Sequence, residues 1–83
     1  MCRNITILRG LDPPATPEEI EAAARQYLRK VTGLGRGALL DGPEFAGAVS
    51  AVARVTAELL GALPARRQAP PTDPPLRRLR RDG

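Results

Sequence analysis

The chain has 83 residues, a formal net charge of +4, one cysteine and no histidine. A length of that order makes one small domain, which buries only about 60% of the surface its unfolded chain exposes and gains from an oligomer or a partner. The composition excludes an intramolecular disulfide, a zinc site of ordinary ligand spacing, Ser-His-Asp or Cys-His arrangements and an imidazole base near neutrality.

Residues 2–8, CRNITIL, set Ile5 and Ile7 on one side and Asn4, Thr6 and Leu8 on the other, which predicts an extended segment or a single strand. A lone strand is not stable, so it must lie across a helix or against a second copy. Asp12-Pro13-Pro14-Ala15 continues as an extended, polyproline-like path. The stretch from Thr16 to Gly33, TPEEIEAAARQYLRKVTG, then carries every local signal of a helix. Thr16 is the N-cap, Pro17 fits the first helical position, Glu19 completes a capping box and Gly33 is the stop. Ile20, Ala23, Ala24, Tyr27, Leu28 and Val31 recur at helical steps and form a stripe for burial. Glu18, Glu19 and Glu21 early, with Arg25, Arg29 and Lys30 late, complement the macrodipole, and Glu21 is placed to pair with Arg25.

Gly33, Gly35, Gly37 and Gly42 mark a flexible connector, under which Leu34, Leu39 and Leu40 are expected to tuck. It has neither GxxxxGK[ST] nor GxGxxG and is not read as a phosphate cradle. A second helix opens at Asp41-Gly42-Pro43-Glu44, with Asp41 or Gly42 as cap and Glu44 placed to close a box with Asp41. Phe45, Val49, Val52, Leu59, Leu60 and Leu63 form its stripe, and Pro64 stops it. Ala46, Gly47, Ser50, Ala53, Ala57 and Gly61 leave its other surfaces small, which suits either a dimer face or a plain Ala-rich exposed face. The predicted fold is all-α: a two-helix antiparallel hairpin over residues 1–64 with a short extended N-terminal segment, then a disordered Pro/Arg-rich C-terminal tail over 65–83. No apolar run is read as long enough for a membrane span and the N-terminus lacks a signal-peptide layout, so the expected location is cytoplasmic with no membrane partner.

Arg66, Arg67, Arg77, Arg78, Arg80 and Arg81 concentrate the charge in the tail, and the first 65 residues are neutral. An anionic partner would meet the tail first, although GC-rich coding accounts for the same Arg, Ala, Gly and Pro. Set among Pro-Pro pairs, these arginines have no core to join and are expected to make phosphate or carboxylate contacts outside the chain. Arg3, Asn4, Arg29 and Lys30 are expected to converge as a small anion or carboxylate site, with local salt bridges as the alternative. Cys2 is the one candidate nucleophile, an N-terminal aminothiol beside Arg3 once Met1 is removed. It lacks a base, an orienting group and an oxyanion donor, so the reading is a non-enzyme with no cofactor and no metal ligand.

MCRNI at the start, PPAT-x-EEI at 13–20, AAARQYLRKVTG at 22–33 and F-x-x-AV at 45–49 together resemble the small bacterial proteins grouped as domain of unknown function 2277. The resemblance spans about residues 1–63, and the tail, RRQ-x-PP and PPLRR, is similar to those of some actinobacterial members. It implies a helical domain with motif positions Cys2, Arg3, Asn4, Pro13, Pro14, Thr16, Gln26, Tyr27, Arg29, Lys30 and Gly33, and no particular activity. A Lys-Pro-Ser and Asn-containing loop usual between the helices of such proteins is missing from Leu34–Gly42. The TPEEI start is also similar to J-domains, but a chain without histidine has no His-Pro-Asp loop. The expected function is a non-enzymatic adaptor that meets RNA or a ribonucleoprotein through the basic tail. The alternatives are a protein-protein interaction module, a structural homodimer and, with less weight, a Cys2-dependent redox protein.

Overall fold

The structure, a computed structural model, describes residues 4–66 and 68–77; Cys2, Arg3, Arg67, Arg78, Arg80 and Arg81 lie outside the described residues. Helix α1 runs Pro17–Thr32, a single 3-10 turn follows at Ala38–Asp41, and helix α2 runs Pro43–Ala62. There is no strand among the described residues, and the N-terminal segment is extended chain and turns.

Helix α1 starts and stops where its residue types require. Glu19 N–H donates to Thr16 Oγ1 at 3.1 Å and Thr16 N–H donates to Glu19 Oε1 at 2.8 Å, so both halves of the capping box are made. Gly33 ends the helix at φ 73°, in the left-handed region that a Cβ disfavours. Thr16→Ala removes one of the two cap bonds and is expected to cost about 1 kcal/mol, read as a lower urea midpoint. Thr16→Ser, which keeps the acceptor, should stay close to the wild type, and an unchanged midpoint in Thr16→Ala would contradict the cap. Helix α2 begins at one of its two expected caps but without the expected box. Gly42 is its N-cap and makes no side-chain bond, while Asp41 belongs to the 3-10 turn, so no box forms with Glu44.

The helices pack antiparallel. Ile20, early in α1, shares a cluster with Ala53 and Leu60 late in α2, and Ala24 packs with Phe45 and Val49 at the other end of the hairpin. Leu34 and Leu40 tuck under this second cluster as expected, whereas Leu39 is exposed. Two helices meet along one line, and the stripes are wider than that line. Tyr27 and Val31, expected inside, are 48% and 63% exposed, and Leu59 and Leu63 are also exposed. The hydrophobic core among the described residues is Leu8, Leu11, Ile20, Ala24, Phe45 and Val49, each less than a tenth exposed.

The N-terminal segment and the tail close the open end of the hairpin. Asn4 N–H donates to Gln26 Oε1, and Leu8 and Leu11 pack on Ile20, leaving Ile5 and Ile7 exposed. Past a cis Asp12–Pro13 peptide the chain reaches the cap. The tail returns alongside: Arg9 Nε and Nη2 donate to Pro64 O at 2.9 and 2.6 Å. Arg66 lies over Gly10, where φ is 92° and an added Cβ would come within 3.0 Å of the Arg66 Cβ and Cδ. Residues 70–72 border Thr6 and Ile7, and a last turn closes with Arg77 N–H donating to Pro74 O at 3.1 Å.

That turn delivers Arg77 to α1. Its Nε donates to Glu19 Oε2 at 3.1 Å, and its Nη2 donates to Glu19 Oε1 at 3.0 Å and to Pro14 O at 3.2 Å. Glu19 is 2% exposed and Arg77 9%. The expectation that the tail arginines have nothing in this chain to join is therefore corrected at Arg77. The capping box holds the Glu19 carboxylate under the Pro13-Pro14 segment, away from water, and a buried carboxylate requires a counter-charge; the planar guanidinium fork supplies it to both oxygens.

Candidate functional site

Two concavities flank α1. The first is a basic depression of about 580 Å³ on the side of α1 away from α2, lined by Asn4, Arg25, Gln26, Arg29, Lys30 and the Gly33–Gly35 turn. The left-handed Gly33 folds the chain back under the helix end, where Arg29 donates from Nη2 to Gly35 O at 2.6 Å and from Nε to Leu34 O at 3.5 Å. Asn4 is brought in through its bond to Gln26. Arg25 is shared: it pairs with Glu21 at 3.6 Å and its Cζ stands 5.7 Å from the centre of the Phe45 ring. Three cations and no carboxylate line the depression, so it is suited to an anion, although the carbonyl end of α1 offsets part of that field.

Among the expected site residues, Asn4, Arg29 and Lys30 do converge there, while Arg3 and Cys2 lie outside the described residues. Arg66 and Arg77 do not join them. Arg77 is committed to Glu19, which takes it out of the set available to a partner, while Arg66 packs its aliphatic stem over Gly10. Arg67, Arg78, Arg80 and Arg81 lie outside the described residues. No group of three His, Cys, Asp or Glu side chains is placed to hold a metal among the described residues.

The second concavity, a groove of about 800 Å³, is lined by both helices and meets the first at Arg25. Leu8, Leu11, Ile20, Val49, Ala53 and Leu60 form an apolar floor, Ala46, Ser50, Ala57 and Gly61 keep the α2 wall low, and Arg9, Glu21, Arg25 and Arg54 stand along it. Arg54 is tied to Glu58 at 3.6 Å, an exposed pair. The small residues of α2 were the signal for this groove in the sequence. What they could not reveal is that the 8–15 segment and Leu63–Ala65 close its end.

The chain was compared with known proteins. A family described as "Uncharacterized conserved protein (DUF2277)" matches residues 1–82. The chain belongs to this family. No curated protein and no solved structure matches it. Membership covers the helical body and the tail alike, which accords with a tail that ends on α1 through Arg77. A further correction concerns α2 of this DUF2277 protein: Pro43–Ala62 is long and apolar enough, by length and composition, to cross a membrane, contrary to the expectation that no such stretch exists. Its Arg54 and Glu58 side chains form an ion pair in the C-terminal half of the helix.

Proposed function

We propose that this DUF2277 protein is a non-enzymatic adaptor whose partner is another protein, docked as a helix in the groove beside α2. The observation that supports this reading is an open groove of about 800 Å³ with Leu63 exposed at its end and a low wall of Ala, Ser and Gly along it, the geometry that admits a second helix at close range. Charge adds the partner's character. Arg9, Arg25 and Arg54 against a single Glu21 favour an amphipathic helix with an acidic flank.

RNA is the second reading, carried by the basic depression and by Arg67, Arg78, Arg80 and Arg81, since Arg77 is already paired with Glu19 and the stem of Arg66 is packed over Gly10. The readings differ in salt dependence. Four phosphate contacts at about 0.7 to 0.9 each give a log-log slope of about −3 to −4, whereas an apolar groove holds its ligand at high salt. Titrating the full chain with a labelled acidic amphipathic helical peptide, and separately with a single-stranded RNA, tests both. The expected result is saturable peptide binding that persists at high salt and is lost in Ala57→Trp, which fills the groove. Peptide that fails to bind while RNA binds with the steep slope would transfer the function to RNA.

A further inference from the structure

We propose that the corner formed by Pro14, Thr16 and Glu19 is a recognition site for an arginine presented on a Pro-Pro-x-Arg segment, and that residues 74–77 of this chain are its tethered ligand, exchangeable for the same segment supplied from outside. This inference rests on neither the groove nor the RNA reading. The receptor half is built without the tail. The capping box orients the Glu19 carboxylate through the Thr16 N–H, and the ring of Pro14 restricts the backbone that carries its carbonyl. Both acceptors are thus set by α1 and its lead-in, the pre-organisation that a binding site requires. With the tail in place the Glu19 side chain is 0% exposed, and its two oxygens accept from Arg77 Nη2 and Nε at 3.0 and 3.1 Å while Pro14 O accepts from Nη2 at 3.2 Å. A lysine has no fork to match that set.

The ligand half is a short unit of its own. Pro74 is buried, and the turn closed by Arg77 N–H on Pro74 O at 3.1 Å sets Pro74 and Arg77 on the same side. The rings of Pro74 and Pro75 hold the segment close to its docked shape, so little freedom is lost when it binds. The other tail pair, Pro70-Pro71, has Asp73 where Pro74-Pro75 has Arg77, and Glu19 would repel it. The spacing therefore selects one segment of the tail.

The link between the two halves is open to solvent. Gln68, Ala69, Pro71 and Thr72 are exposed, so few contacts would be lost were the segment to arrive on another chain. Arg77 Nη1 is buried with no acceptor among the described residues, an unmet donor that loosens the hold on this ligand relative to one that satisfies it. What keeps the tail in place is its tether: a short linker supplies an effective concentration on the order of millimolar. A free peptide at micromolar concentration cannot compete with that, and exchange becomes visible once the tethered arginine is removed.

Arg77→Glu in the full chain sets a carboxylate against Glu19 and vacates the site. An end-capped peptide of residues 73–77 should then raise the melting temperature of this variant saturably, and the same peptide with lysine in place of Arg77 should bind at least about tenfold more weakly. The double variant Glu19→Gln, Arg77→Glu should not respond. If Arg77→Glu lacks the helical circular dichroism of the wild type, the wild-type chain cut once between Gln68 and Ala69 serves instead: its melting temperature should rise with protein concentration and with added peptide. A peptide that stabilises neither form overturns the proposal, as does one that stabilises the Glu19→Gln double variant equally. A lysine peptide that binds as well as the arginine one overturns it too, since plain charge attraction would then explain the contact.

Discussion

Arg77→Met is expected to lower the unfolding free energy by about 3 kcal/mol, because it strands the Glu19 carboxylate without its counter-charge. The Glu19 side chain is 0% exposed and that of Arg77 10%, so neither can recover its lost partner from solvent. A chain of 83 residues has about 4 to 12 kcal/mol of stability in total, so the loss is a large fraction of it. The exposed pairs Glu21–Arg25 and Arg54–Glu58, each at 3.6 Å, should be worth less than about 1 kcal/mol, since both partners are hydrated whether or not they meet. The double variant Glu19→Gln, Arg77→Met separates a stranded charge from a simple loss of packing. Gln keeps the carbonyl oxygen that the Thr16 N–H needs, and it carries no charge to strand. Met also removes the Arg77 Nη1, which is buried with no acceptor among the described residues. Most of the loss should therefore be recovered in the double variant. Urea midpoints decide the matter: a wild-type value for Arg77→Met, or a double variant as unstable as the single, would show that Glu19 has no need of Arg77.

Local rules and long-range ones were unequally legible in the sequence. Thr16, Pro17, Glu19 and Gly33 specify the bounds of α1 because each acts within one turn of its own position, and all four act as the sequence implies. Asn4, Arg29 and Lys30 could be grouped for a similar reason, since a short extended segment has few places to lie except along the first helix. Arg77 and Glu19 are separated by 58 positions, and nothing near either of them refers to the other. Glu19 already had a complete local explanation as a capping residue, and the tail had one as a solvated basic segment, so the pairing left no unexplained residue to signal it. Helical periodicity has a second limit. It gives the direction of a side chain but not how much of that direction a neighbour covers, which is why the stripe that correctly aims Ile20 and Ala24 at α2 also carried Tyr27 and Val31.

The two aromatic residues turn that limit into a measurement. Phe45 is 6% exposed and packs with Ala24 and Val49, with Leu28, Leu34, Leu40 and Val52 around them. Phe45→Ala removes the largest apolar side chain of that cluster and leaves a cavity that two short helices cannot collapse around, at an expected cost of about 3 to 5 kcal/mol. About 0.5 to 1 kcal/mol of this belongs to the Arg25 guanidinium above the ring, a contact that Phe45→Leu also loses while retaining most of the packing. Tyr27 has nearly half of its surface in water. Tyr27→Ala should therefore cost less than about 1 kcal/mol, a shift in melting temperature under about 8 °C for a chain of this size. Phe45→Ala should lower the melting temperature several times further. Thermal melts of both variants beside the wild type test the pair. Phe45→Ala melting with the wild type would place the centre of the hairpin elsewhere, and a Tyr27→Ala cost as large as that of Phe45→Ala would mean that the ring is covered.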